Sequence, residues 1–251
     1  MDDYERTKDF FSRNSENYAN SISHAEDDDL NILIAMLSLN NDMIGLDEAT
    51  GAGFTAIKLA KIIREVYALD MVENMLSETE KLAKANNLKN VIPVKGYIDS
   101  LPFEDKKFDV VTCRRAPHHF VDLNKFAIEA YRVLKENGMI GIDDMTVPRN
   151  IVDDFNELEK IRDNSHVHAA SVEEWSKILS NAGFINIKYK IYRKKVAFKQ
   201  WIYPVNEESQ EAKRALDYLN SARKEFISGI EWNGKSFQKS WMVITGIKNE
   251  K

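Results

Sequence analysis

The sequence holds a single cysteine, Cys113, among 251 residues. One chain can therefore form neither an intramolecular disulfide nor a cysteine-based zinc site, and this usage suits a reducing compartment. A basic excess is also missing: 35 Lys and Arg stand against 40 Asp and Glu, a net charge of -5. A nucleic-acid surface normally shows as surplus positive charge, so no nucleic-acid partner is expected. Nowhere does an apolar run approach the roughly 20 residues of a membrane span. The opening stretch MDDYERTKDFFSRNSENY is charged where a secretory signal needs an apolar run. The expected location is the cytoplasm. Repeats and low-complexity linkers are absent as well, and 43% apolar residues suffice for one substantial core. Residues 1–251 are thus expected to form a single domain.

What is present is an alternation of short apolar runs and amphipathic stretches. Spaced apolar residues Tyr4, Phe10, Phe11, Tyr18 and Ile22 in a polar segment predict a helical cap over residues 1–40 that docks on the core. Leu30 to Leu39 reads as a buried helix, broken by Asn40 and Asn41. MIGLDEA is a first strand, EVYALD a second, VIPVKG a third and KFDVVTCR a fourth, each followed by a helical stretch or turn. Asn124 to Leu134 is helical, ENG at 136–138 stops it, and MIGIDDM is strand five. After Pro148 come a polar helix through Arg162 and a helix capped by Ser171, with Glu174 at the capping-box position and Gly183 as its stop. INIKYKIYRKKVAF is a long strand six, EAKRALDYLNSARKEF one helical stretch, and SFQKSWMVITGIK strand seven. This rhythm predicts an α/β fold with a seven-stranded, mostly parallel sheet and helices on both faces.

Gly51 and Gly53 fall where the first strand gives way to a helix, which permits close backbone approach to a ligand at the positive end of that helix. Asp70 ends the next strand about 20 residues on, where a carboxylate can accept from two ribose hydroxyls. Together they predict a site for an adenine nucleoside. A dinucleotide is not excluded, because the third glycine of GxGxxG is Ala56 here and the relaxed pattern allows alanine.

LDEATGAGFTA (Leu46 to Ala56), Asp70, GYIDSLPFEDKKFDVVTCRRAPHHF (Gly96 to Phe120) and YRVLKENGMIGIDD (Tyr131 to Asp144) follow one another in an order that resembles the class I S-adenosylmethionine-dependent methyltransferases similar to the ubiquinone and menaquinone biosynthesis enzymes. The likeness runs on through SHVHAASVEEWSKILSNAGF and covers most of the chain. It implies a Rossmann-like sheet with strand seven antiparallel, a cofactor-binding half at 41–147 and a substrate-side half at 148–251 with helical lid insertions. It also implies that Asp47, Ala49, Gly51 and Gly53 surround the methionine part of S-adenosylmethionine. Asp70 would hold the ribose, Met71 would pack on the adenine, Tyr97 and Ile98 would line its other face, and Arg114 would lie beside the sulfonium and amino-acid end. Two positions depart from the pattern. Ala49 stands at a first-motif glycine, and Tyr97 stands where an acid usually meets the adenine amino group, leaving stacking by Tyr97 or replacement by Asp99 to compensate.

Methyl transfer to a small-molecule acceptor mainly requires alignment and exclusion of water, which can supply about 7–11 kcal/mol in the best cases. An acceptor that loses a proton also benefits from a base. His118 and His119, directly after strand four, are the candidate catalytic bases, with His119 the more structural of the two; either ring serving only as a backbone hydrogen-bond partner is the competing reading. Phe10, Phe11 and Tyr18 could close over the sulfonium by cation-π attraction or simply pack. Arg114 and Arg115 are candidate carboxylate partners, one of them a solvated charge on the competing reading. His166 and His168 beside Asp163 lack the further ligands of a metal site, so no metal is expected, though His168 could face the acceptor. Tyr131 and Lys135 form a YxxxK read as structural, and Lys188, Lys190, Arg193, Lys194 and Lys195 give strand six a basic side, read as a solvated face over one that meets an anionic acceptor. Trp201, Tyr203, Tyr218 and Trp232 are expected to roof the acceptor pocket. A nicotinamide-dependent oxidoreductase, and a protein that holds S-adenosylmethionine without catalysis, remain open beside the methyltransferase reading.

Overall fold

The strands that the apolar runs predict line up in one sheet. In the computed structural model, which describes Glu5, Lys8, Phe11, Ser12, residues 28–203 and residues 205–249, these strands are β1 (Ile44–Glu48), β2 (Glu65–Asp70), β3 (Val91–Lys95), β4 (Phe108–Arg114), β5 (Leu134–Met145), β6 (Phe184–Ala197) and β7 (Ser236–Lys248). Their order is β3-β2-β1-β4-β5-β7-β6. β1 runs parallel to both β2 and β4, β2 to β3 and β4 to β5, while β7 is antiparallel to both of its neighbours. One strand against six is the arrangement expected from the family resemblance. Central strands are buried on both faces and read as near-continuous apolar runs; β6 lies at an edge and is mostly exposed. Its lysines and arginine blunt that edge against pairing with another chain.

The helices are α1 (Asp28–Met36), α2 (Phe54–Ala60), α3 (Glu73–Ala85), α4 (Leu123–Val133), α5 (Val152–Arg162), α6 (Val172–Ala182), α7 (Phe198–Ile202), α8 (Gln210–Ser221) and α9 (Lys224–Gly229). The Asp122 carboxylate starts α4 by accepting from the backbone N–H groups of Asn124 and Lys125. Phe126, Ala127, Ala130 and Val133 then recur on one face and pack with Trp175 of α6 against Leu46, Val111 and Ile142 of the sheet. On the opposite face, Leu33 of α1 and Ala56 and Leu59 of α2 meet Val66, Val110 and Val243. A third cluster joins α5, α7, α8 and α9 to the start of β7 around Phe155, Trp201, Phe226 and Phe237. Among the described residues no helix is long and apolar enough to cross a membrane.

Several local expectations are corrected. α1 is shorter than expected and buries only one face, with Asp29, Leu30 and Leu33 inside and Asn31 and Ala35 outside. The ENG segment is not the helix stop: α4 ends at Val133, Leu134 already pairs with Phe108, and the register then jumps to Met139 opposite Val110. Residues 135–138 bulge out there, with Asn137 left-handed and the Lys135 ammonium tied to Asp109 at 2.8 Å. The stretch before β7 is two helices, broken where Ala222 turns extended and Arg223 is drawn to Asp154. Ser171 caps α6 and Gly183 ends it left-handed, as expected, but the Glu174 carboxylate reaches His168 instead of closing the capping box. Tyr4, Phe10, Tyr18 and Ile22 lie outside the described residues.

Candidate active site

The strand order reverses between β1 and β4, since β2 and β3 build outward on one side and β5 on the other. Loops leaving the carboxyl ends of two such strands diverge and open a crevice, the usual ligand site of open α/β sheets. The pocket here lies in that crevice and encloses about 1090 Å³ counted with its open mouth.

One wall is the β1 loop. Ala49, Gly51 and Gly53 take φ of 51°, 55° and 90°, so three of five consecutive residues are left-handed and the backbone folds back on itself. For glycine that conformation is free; for Ala49 it costs about 1–2 kcal/mol. The two glycines serve different ends. A Cβ on Gly51 would meet nothing within 4 Å, leaving bare backbone open to the pocket, whereas a Cβ on Gly53 would stand 2.7 Å from the Thr79 methyl. Gly53 does not line the pocket; it lets α3 approach, and the Thr79 hydroxyl donates to the Gly51 carbonyl at 2.9 Å.

Two carboxylates hold this loop. Asp70 accepts from the Gly51 N–H at 2.9 Å through one oxygen and from the Val72 N–H at 2.8 Å through the other. Asp47 accepts from the Thr50 hydroxyl at 2.6 Å and the Thr112 hydroxyl at 2.7 Å. Burial pushes each carboxyl up to about 6, against the hydrogen bonds that favour the charged form. Glu48, on the opposite face of β1, has neither oxygen hydrogen-bonded; burial, Glu129 and Asp47 raise its carboxyl well above the usual range, so it is held neutral.

The facing wall is the β4 loop. Arg114 and Arg115 both reach Asp29 of α1, at 2.9 and 3.0 Å, and both side chains are mostly buried. The carboxylate they bind is the protein's own. Asp29 and Asp143 meet as a carboxyl pair. Burial would raise Asp29, but the hydrogen bond with Asp143 and the two guanidinium groups hold it well below the carboxylate range. Burial and Asp29 push Asp143 well above it, so one proton stays on the pair. Arg115 is itself left-handed, with φ 54°. The chain turns there into a 3-10 turn at Pro117–His119.

That turn separates the two histidines. His119 lines the pocket and His118 lies behind it, the reverse of the expected ranking. The His118 Nδ1 sits 2.6 Å from an Asp144 oxygen, and the His118 carbonyl accepts from the N–H groups of Val167 and His168. The His119 Nδ1 lies 3.0 Å from the Ser165 carbonyl and 3.1 Å from its hydroxyl. Burial and the neighbouring His118 ring push the His119 imidazole down to about 4, so it is neutral at pH 7. Phe11 meets it edge to face at 5.0 Å and lines the pocket.

Asp47, Ala49, Gly51, Asp70, Met71, Tyr97, Ile98 and Arg114 all line the pocket together with His119. Tyr97 is half exposed at its mouth and Ile98 is buried. Asp99 points instead to Lys125 at 3.3 Å. The expected roof is corrected: Trp201 is buried in the third cluster, Tyr218 and Trp232 pack against it, and Tyr203 is exposed, so none of the four lines the pocket. His166 bonds Asn156 at 2.6 Å and His168 bonds Glu174, away from the pocket lining. Tyr131 packs on Phe184, and the basic residues of β6 do not line the pocket. Sequence reasoning missed Asp29, Asp144 and Ser165, and weighed Asp163 only as a metal-ligand candidate beside His166 and His168. For Asp144 a signal existed, since two adjacent acids in an otherwise apolar strand need buried partners; for the others no local pattern marks them.

A family model described as a methyltransferase domain matches residues 39–183. The chain is 31% identical over 246 residues to YcgJ of Bacillus subtilis (strain 168), described as an uncharacterized methyltransferase, covering 95% of this chain and 97% of that one. The YcgJ crystal structure superposes with a TM-score of 0.83 at 29% identity, over 89% of this chain and 99% of that chain. A demethylmenaquinone methyltransferase of Chlorobaculum tepidum is 32% identical over 165 residues, 57% of this chain and 66% of its own length. The fold, at a TM-score of 0.60 and 17% identity, is also that of a Haemonchus contortus phosphoethanolamine N-methyltransferase 2 solved with S-adenosyl-L-methionine, over 89% of this chain and 52% of that one.

Proposed function

The chain belongs to the methyltransferase domain family, whose cofactor is S-adenosylmethionine, and from that premise we propose that it methylates a small-molecule acceptor held at the β4 side of the pocket. The observation that carries the site assignment is the Asp70 carboxylate bonded to the Gly51 N–H inside the crevice. Each Asp70 oxygen accepts one backbone N–H and retains capacity for a ribose hydroxyl. Bare backbone at Gly51 accommodates the rest of the nucleoside, with Met71 and Ile98 flanking the adenine and Tyr97 at its outer edge. Asp47, Ala49 and Arg114 border the amino-acid end, where Arg114 is already positioned by Asp29.

When bound, S-adenosylmethionine supplies a methyl group made electrophilic by a positive sulfur. The chain contributes alignment, an apolar wall from Phe11, Phe120 and Val121, and a neutral imidazole at His119 to receive the acceptor's proton. The net negative charge argues for a small molecule over nucleic acid as the acceptor. Side-by-side calorimetric titration with S-adenosylmethionine, S-adenosylhomocysteine and NADH tests the assignment. Saturable binding of the first two alone is expected; binding of NADH alone contradicts it.

A further inference from the structure

The contacts of the His119 ring fix which of its nitrogens carries the hydrogen. The Ser165 hydroxyl donates its one proton to the Asp163 carboxylate at 2.6 Å, and the Ser165 N–H donates to the same oxygen at 2.9 Å. With that proton committed, the Ser165 hydroxyl oxygen can only accept from His119 Nδ1, 3.1 Å away. The Ser165 carbonyl, at 3.0 Å, can also only accept. Nδ1 therefore carries the hydrogen, and Nε2 is the unprotonated nitrogen of a ring that lines the pocket. Ser165 is fully buried and Asp163 nearly so, which shields the arrangement from competing water.

We propose that Asp163 and Ser165, from the loop between α5 and α6, are positioning residues that fix His119 as the Nδ1–H tautomer and so make Nε2 the proton acceptor of the methyl transfer. The role rests on His119 acting as the base of the reading above. An acceptor bearing an O–H or N–H attacks the methyl carbon, the carbon–sulfur bond breaks with its electrons left on sulfur, and the acceptor's proton passes to Nε2. The positive charge lost by sulfur thus reappears on the imidazolium. The Nδ1–H is held by the Ser165 carbonyl throughout, and Asp163 keeps the Ser165 hydroxyl from offering Nδ1 a competing proton. A tautomer set through a second residue is a known way for an enzyme to orient histidine.

The test reads the ring nitrogens directly, by long-range proton–nitrogen correlation NMR on the full-length 15N-labelled protein at neutral pH, with His119 assigned by its loss in His119→Gln. The wild type is expected to show Nδ1–H and an unprotonated Nε2. Asp163→Asn, which keeps an acceptor oxygen for the Ser165 hydroxyl, is expected to retain that tautomer. Asp163→Ala frees the hydroxyl proton and is expected to shift the ring toward Nε2–H. An Nε2–H ring in the wild type, or the same tautomer in Asp163→Ala as in Asp163→Asn, overturns the proposal. The wild-type spectrum alone can do so if the alanine variant does not fold. Neither acceptor nor cofactor enters the measurement, so its failure is distinct from failure of the cofactor titration.

Discussion

The β1 loop and the β4 loop face each other across one pocket, yet they are held by opposite means. The first is a backbone device: three left-handed residues, with the Gly51 N–H held by Asp70 at the end of β2 and the Thr50 hydroxyl held by Asp47 of β1. The second is a side-chain device, in which His118 and His119 are held by Asp144 and by Ser165, 26 and 46 residues away in sequence. A loop that must approach a ligand closely gains from having few side chains. A loop that must present one reactive nitrogen gains from buried partners that leave it a single orientation.

That contrast can be broken most severely at Gly53. Gly53→Val places a branched side chain against Thr79 at a φ of 90°, and a loss of about 4 kcal/mol in denaturant unfolding is expected. At Asp70 the contrast is sharpened: Asp70→Ala should weaken S-adenosylmethionine about a hundredfold, near 3 kcal/mol, through lost charged hydrogen bonds. Asp144→Ala, behind the other loop, should leave that affinity nearly unchanged. Equal losses in the two variants would dissolve the distinction.

Acid sharpens it further. Because burial raises the Asp47 and Asp70 carboxyls to about 6, the folded protein holds protons on them that the unfolded chain releases near 4. Their ionised forms therefore cost stability as pH rises from about 4 through 6, and below 6 the carboxylate that receives the ribose is lost. Cofactor affinity should be level above that value and fall by up to about tenfold per unit, about 1.4 kcal/mol, beneath it. A flat profile in calorimetry between pH 5 and 8 contradicts this. The smallest effect is a gain: Ala49→Gly relieves a left-handed alanine and should stabilise the fold by about 1 kcal/mol, after the entropy glycine adds to the unfolded chain.

The two loops also differ in how far they could be read beforehand. Strands, the parallel order and the Gly51–Asp70 spacing are local or quasi-local patterns, and they stand in the structure where the residues indicated. Gly53 stands in the expected loop but against Thr79 and outside the pocket lining, because spacing does not say whether a missing Cβ faces a ligand or a helix. The ranking of His118 and His119 could not be read, since it depends on a left-handed Arg115 and on partners from β5 and the α5–α6 loop. Trp201 and Trp232 look alike as roof and as core in sequence; only the presence of Phe155, Phe226 and Phe237 around them decides that they pack among themselves.

The central claim is that the Asp70 end of the β1 loop holds the ribose while His119 faces the reacting sulfur. A crystal structure of the complex with S-adenosylhomocysteine tests it most directly. Both ribose hydroxyls are expected on the Asp70 carboxylate and the sulfur on the His119 side of the pocket; a ribose seated away from Asp70, or a sulfur turned from His119, contradicts these assignments.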